Sequence, residues 1–328
     1  MRGESKPRAP RWFALPAEDS GAEPAGAGIR SLAVVGGGQM GSGIAEVAAR
    51  AGLEVTILEL GESELARARS RIGTSLGRAL DKGRIEAAER DLVLARVSFT
   101  TEWAGIDGAD AAVEAVVEDL GEKRRVFAEL DRCLPDALFL ASNTSSVPIM
   151  SVASATARPH RVLGLHFFNP VPVMDLVEVV PSLATDPDVV DAAGRFVTGD
   201  LGKAAIRAPD RAGFVVNGLL IPYILCAVRM VEAGPSSREE IDLGMVNGCH
   251  HPMGPLRLAD LIGLDTVLAV SRSLYEEFHD GFYSAPPLLR RMVEAGKLGR
   301  KAGAGFYAYD GPGTVLVRND LNTTERIR

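Results

Sequence analysis

Ile29-Arg30-Ser31-Leu32-Ala33-Val34-Val35 is a short apolar run that empties into Gly36-Gly37-Gly38-Gln39-Met40-Gly41. A strand feeding a Gly-x-Gly-x-x-Gly turn that opens a helix, here over 42–50, is the context a dinucleotide fingerprint requires. Gly36, Gly38 and Gly41 let the backbone approach a pyrophosphate, which then sits at the start of the helix beside Gln39 and Met40. A second strand, 53–60, carries Glu59 near its end, about twenty residues on. A carboxylate there binds ribose hydroxyls and repels a 2′-phosphate, so NAD is expected rather than NADP.

Outward from that unit, 62–82 has helical composition with Arg67, Arg69, Arg71 and Arg78, and Gly83 ends it. Residues 86–96 read as a returning helix, so the two form a projecting hairpin. Runs 111–117 and 137–142 are β-rich with a helix, 122–130, between them, and 161–167 and 176–180 are further strands. Strands alternating with helices indicate an α/β fold with a parallel, Rossmann-type doubly wound sheet. The character changes at Ala208-Pro209-Asp210, beyond which nearly everything reads as helix. Ser236 and Ser237 precede Glu239 and Glu240 at capping-box spacing, 251–255 is a turn, and 256–277 is one long helical stretch. The chain therefore divides into a sheet domain, 29–209, and an all-helical C-terminal domain, 210–328. Residues 1–28, with several prolines, mixed charges and no apolar core segment, are expected to be a disordered leader.

At 328 residues two domains are the natural expectation, and 46% hydrophobic with 24% charged residues describes a globular protein. A net charge of −7 argues against nucleic acid as partner. Cys133, Cys226 and Cys249 show no metal-ligand spacing and read as reduced core thiols in a cytoplasmic protein. The longest apolar run, 214–228, is short for a membrane span and is interrupted by Asn217 and Pro222, so it reads as a helix buried on all sides, in a subunit interface if not within its own chain.

The chemistry concentrates in His166-Phe167-Phe168-Asn169-Pro170 and in Glu178, twelve positions after the histidine in Leu176-Val177-Glu178-Val179-Val180. A carboxylate inside an apolar strand needs a partner, and a histidine at a strand exit needs an orienting group. One His166–Glu178 contact satisfies both and makes a general base. Together with a nucleotide loop, it points to hydride transfer at an alcohol carbon. Ser142-Asn143-Thr144-Ser145-Ser146, after the fourth strand, is either a polar turn with a helix cap or a hydroxyl donor beside a nicotinamide.

These residues resemble a family over about 29–309. The motifs GGGQMGSGIAEVAA, EAVVED, ASNTSS, GLHFFNPVPVMDLVEVV, GFVVN, HPMGPLRLADLIGLDT and LGRKAGAGFYAY are similar to those of the L-3-hydroxyacyl-CoA dehydrogenases, most closely the monofunctional 3-hydroxybutyryl-CoA type. The resemblance implies NAD-dependent, reversible oxidation of a 3-hydroxyacyl-CoA. In it His166 is the base, Glu178 its partner, Ser145 a contact to substrate and cofactor, and Asn217 the group that completes the pocket. It also implies that Glu118, Lys123 and Asn169 lie near the cofactor, and that the helical domain makes a homodimer. An acyl-carrier-protein thioester as substrate, or a non-catalytic NAD-binding role, are the competing readings. Ala212, Gly218 and Glu59 depart from the family pattern without removing a catalytic group; the first two bear on the acyl pocket.

Overall fold

A computed structural model of the chain describes residues 26–310, together with the backbone of 314–319 and 323–326. Most of the expected leader, 1–25, lies outside the described residues. The first unit runs β1 (Ser31–Val35), α1 (Gln39–Arg50), β2 (Glu54–Leu58), α2 (Glu62–Asp81), α3 (Ala87–Ala95) and β3 (Val97–Thr100). It continues with β4 (Ala111–Glu114), α4 (Leu120–Cys133), β5 (Leu140–Ser142), α5 (Ile149–Ala153), β6 (Val162–Phe167), β7 (Leu176–Pro181), α6 (Pro187–Arg195) and β8 (Ala204–Arg207).

These strands form one eight-stranded sheet in the order β3-β2-β1-β4-β5-β6-β7-β8. The order reverses between β1 and β4, and that switch point is where open α/β sheets bind ligands. The six strands from β3 to β6 run parallel to one another, and the residues of the central β4, β5 and β6 are buried on both faces. Leu32 and Val34 enter one core with Ile44, Ile57 and Ile72 of the flanking elements. Ala33 and Val35, on the alternate face, join Phe127, Leu130 and Leu140 in another. Each such side chain contributes roughly 1.5–3 kcal/mol on burial, which makes the sheet the rigid base for the loops at its rim.

One expectation fails here with consequence: β7 runs antiparallel to β6. The connection, 168–175, is too short for the crossover that a parallel pair requires. The two four-residue edge strands, β3 and β8, were not anticipated; short edge strands leave little alternation to read.

The second unit is helical: α7 (Val216–Ala233), α8 (Arg238–Cys249), α9 (Pro255–Ile262), α10 (Leu264–Phe278) and α11 (Pro287–Glu294). Its separate core includes Ile221, Leu225, Val228, Leu256, Val267 and Leu274. Ser237 and Glu240 do form a reciprocal capping box at the start of α8. The long stretch expected over 256–277 is two helices, broken at Gly263, whose φ of 105° suits glycine alone. An antiparallel sheet, β9 (Ala308–Asp310), β10 (Thr314–Asn319) and β11 (Thr323–Arg326), follows the helices and was not anticipated.

α7 is long and apolar enough by composition to cross a membrane. Its Ile221, Ile224, Leu225 and Val228 are instead buried in the helical core, whereas Leu219, Cys226 and Met230 are exposed. The helix is thus buried on one side, not on all. Nor are the cysteines core thiols: Cys226 and Cys249 are exposed and Cys133 is half-buried.

Candidate active site

The glycine loop joins β1 to α1 and its shape is dictated by close approach. Gly36 has φ of 95°, and a Cβ on it would meet the Ala115 carbonyl oxygen at 2.7 Å; one on Gly41 would meet the Gly36 carbonyl oxygen at 1.8 Å. A Cβ on Gly38 would meet nothing within 4 Å, so the turn is open on the side a phosphate would approach. The first turn of α1 has no side-chain cap and no acid, leaving its N–H groups for an anion. Glu59 accepts the Gly37 N–H at 2.6 Å, while the Gly37 carbonyl accepts from Ser42 Oγ at 2.7 Å and from Arg71 at 3.1 Å. The loop is therefore clamped from both sides, and the acid expected at the ribose stands against it. These residues fit a dinucleotide.

His166 lies near the end of β6 and is 6% exposed. The antiparallel register sets it directly opposite Glu178 on β7, where cross-strand Cβ atoms lie about 4.5–5.5 Å apart. Its Nδ1 lies 2.6 Å from Glu178 Oε2. With Nδ1–H donating to the carboxylate, Nε2 is left as the basic nitrogen. The rings of Phe168 and Phe214 flank the imidazole at 4.6 and 5.5 Å between centroids. Glu178 is fully buried, and its other oxygen accepts the backbone N–H groups of Val215 and Val216 at 3.0 and 2.9 Å. Those donors open α7, so one carboxylate contacts both the imidazole and the start of the helical unit. Phe214, at the bend before them, has φ of 45°, a costly conformation for a bulky residue that the surrounding packing enforces.

The serine loop after β5 is held from beneath. Glu118 Oε1 accepts from Thr144 Oγ1 at 2.5 Å and from the N–H groups of Ser145 and Ser146 at 3.0 and 3.1 Å. Burial pushes the Glu118 carboxyl up, but the Lys123 ammonium and the hydroxyls of Thr144 and Ser146 outweigh it and hold it below the ordinary range. Lys123 is 1% exposed and bridges Glu114 at 2.8 Å and Glu118 at 3.1 Å. It supports the loop from inside and does not reach the cleft.

A cleft of about 330 Å³ between the domains brings Met40, Glu118, Ser145, His166, Asn169 and Asn217 to one space. Gln39 reaches it indirectly, donating from Nε2 to Asn169 Oδ1 at 2.9 Å. Three contributors had no assigned role in the sequence. Asn143 lines the cleft and accepts the Phe167 N–H at 2.9 Å. Phe168 and Phe214 dry the imidazole. Asn143 stands inside the motif ASNTSS and could have been singled out there; nothing in the local sequence tells that Phe214 will face a histidine.

Residues 31–211 match the family model of the 3-hydroxyacyl-CoA dehydrogenase NAD binding domain, and 213–309 that of the 3-hydroxyacyl-CoA dehydrogenase C-terminal domain. The chain is 54% identical to a 3-hydroxybutyryl-CoA dehydrogenase of Mycobacterium tuberculosis, over 86% of this chain and 99% of that protein. It is 38% identical to the human mitochondrial hydroxyacyl-coenzyme A dehydrogenase, over 86% and 91%. Among solved structures, M. tuberculosis FadB2 superposes with a TM-score of 0.84 at 54% identity, covering 86% of this chain and 99% of that one. (S)-3-hydroxybutyryl-CoA dehydrogenase PaaH1 from Ralstonia eutropha gives 0.82 at 41%, with the same coverage.

Proposed function

The chain belongs to the 3-hydroxyacyl-CoA dehydrogenase family, and from that premise we propose that the interdomain cleft carries its activity through His166, Glu178, Ser145 and Asn217. The enzyme is an NAD-dependent oxidoreductase that reversibly converts an (S)-3-hydroxyacyl-CoA to the 3-oxoacyl-CoA. The observation that carries the assignment of roles is the 2.6 Å contact between His166 Nδ1 and Glu178 Oε2 on the wall of a cleft shared with Ser145 and Asn217.

His166 Nε2 takes the proton of the 3-hydroxyl. The nicotinamide, when bound, supplies the acceptor for the hydride leaving C3. Glu178 fixes the imidazole tautomer and stabilises the imidazolium as it forms. Asn217 and Ser145 hold the substrate oxygen as alkoxide character develops, in a site where Phe168 and Phe214 keep water from the ring. In reverse, the imidazolium returns its proton to the nascent hydroxyl. Gly36, Gly38, Gly41, Gln39 and Met40 form the cofactor's phosphate loop, Glu59 meets its ribose, and Asn169 and Glu118 border the nicotinamide end. Lys123 acts on that end through Glu118.

The separate helical core supports dividing the chain at about residue 209. The exposed residues Leu219, Cys226 and Met230 along α7 support a homodimer built on the helical domain. Three unpaired cysteines suit a reducing, cytoplasmic setting. The test is NADH oxidation with acetoacetyl-CoA, followed at 340 nm as a loss of roughly one NADH per thioester. Turnover is expected with NADH and much less with NADPH, because Glu59 repels a 2′-phosphate. No oxidation of either cofactor overturns the reading.

A further inference from the structure

The cleft has two kinds of wall. Around His166 it is polar or aromatic and comes chiefly from the rim of the sheet. Beyond Asn217 it is formed by α7, the end of α9, and α10, where Ile221, Ile262 and Val270 stand with Thr266. Ile221 follows Asn217 by four residues, so the two side chains lie one above the other on α7, about 6 Å apart along the axis. Thr266 and Val270 repeat that spacing on α10. Ile221 is 2% and Val270 7% exposed, and both belong to the helical core, so neither can retreat without disturbing its packing. Ile262 is half-buried at the last turn of α9.

The carbonyl end of a thioester and the reacting C3 must lie where His166, Ser145 and Asn217 converge. The rest of the acyl chain has to continue along the wall opposite the cofactor loop. We propose that Ile221, Ile262 and Val270 form the end wall of the acyl site and restrict it to short acyl groups, a refinement that rests on the 3-hydroxyacyl-CoA reading above. One helical turn separates the residue that holds the reacting oxygen from the first apolar stop. That span admits the terminal methyl of a four-carbon acyl group against Ile221 and Val270. Each further methylene must displace a packed side chain. The rim of the sheet with the first turn of α7 therefore performs the chemistry, and the later turn of α7 with α9 and α10 measures the substrate.

The test compares kcat/KM for (S)-3-hydroxybutyryl-, hexanoyl- and octanoyl-CoA in wild type, Ile262→Ala and Val270→Ile, with NAD in each case. In wild type, kcat/KM is expected to fall by about tenfold or more from four to six carbons, since each of the two added methylenes commands about tenfold or more in an apolar pocket. Ile262→Ala removes bulk at the half-buried end of α9, and should raise the hexanoyl-to-butyryl ratio by roughly tenfold. Val270→Ile adds one methylene and should lower that ratio. Because the ratio is taken within one protein preparation, partial loss of folded enzyme does not move it, and melting temperatures identify any variant that fails to fold. If Ile262→Ala fails to fold, Ile221→Val provides the enlarging arm. A wild-type rate independent of chain length, or a ratio unmoved by both enlarging and filling variants, overturns the end wall while leaving the dehydrogenase reading intact. Absence of turnover on every thioester overturns both.

Discussion

The proposed dyad requires His166 and Glu178, in contact at 2.6 Å, to behave as one unit. Glu178 is fully buried, and an unpartnered carboxylate there is costly; His166 without it loses both tautomer and orientation. His166→Ala is expected to lower kcat by on the order of 10²–10⁴ while leaving NAD affinity near wild type, since the phosphate loop shares no hydrogen bond with the imidazole. Glu178→Gln should also cost kcat, and the double variant should lose little beyond the worse single one. Steady-state kinetics with cofactor titration by fluorescence would check this; losses that multiply in the double variant speak against a dyad. The pair was legible in the sequence because both residues broke an apolar pattern. The donors that hold Glu178 were not, since the N–H groups of Val215 and Val216 are backbone and leave no mark on residue type.

At the scale of elements, the α2–α3 hairpin shows how a charged face divides between structure and recognition. α2 buries Leu65, Ala68, Ile72 and Leu76 and turns its arginines outward. Two of those arginines are already engaged: Arg69 lies over the Phe99 ring at 4.3 Å, and Arg71 donates to the Gly37 carbonyl. Arg67 pairs with its helix neighbour Glu64, and Arg78 borders a groove shared with Ser42 and Asn169. Neutralising Arg67 and Arg78 is expected to raise KM for acetoacetyl-CoA by roughly fivefold, and by less as salt increases, with kcat little changed. A pantetheine thioester lacking the nucleotide should show almost none of this. Equal effects on both substrates would remove the hairpin from CoA recognition. Element reading from sequence succeeded where a physical demand is local: the glycines after β1, the capping box of α8, the helical face of α2. It failed where the demand is distant. The direction of β7 depends on what the chain can cross in 168–175, and the break at Gly263 depends on a backbone angle, not on a change in hydrophobicity.

For the whole molecule, the unresolved quantity in the sequence was how α7 is used. A run of apolar residues looks the same whether a helix is enclosed by its own domain or shared with a second copy. The structure separates the two faces: Ile221, Ile224, Leu225 and Val228 face inward, while Leu219 and Met230 are 73% and 46% exposed. Light scattering is expected to report about twice the 34.8 kDa chain mass for wild type. A Leu219→Glu, Met230→Glu variant should report a single chain, because two carboxylates would be desolvated at a symmetric contact. A wild-type mass of one chain, or a variant that remains paired, would place the contact elsewhere.

The division between the two cores and the division of labour do not coincide. The polypeptide passes from sheet to helices around residues 209–213, yet the groups at 215–217 complete the hydrogen bonds of Glu178 and line the cleft beside His166. Recombination between related enzymes at the packing seam would hand the first turn of α7 to a foreign parent, and with it the donors that fix the base. A crossover after Gly218 would transmit that turn intact and exchange only the later turns of α7 and the helices beyond it, where the proposed acyl wall and the proposed subunit contact lie. In such a lineage, substrate range could drift by exchange of whole segments while the reaction itself was inherited unbroken.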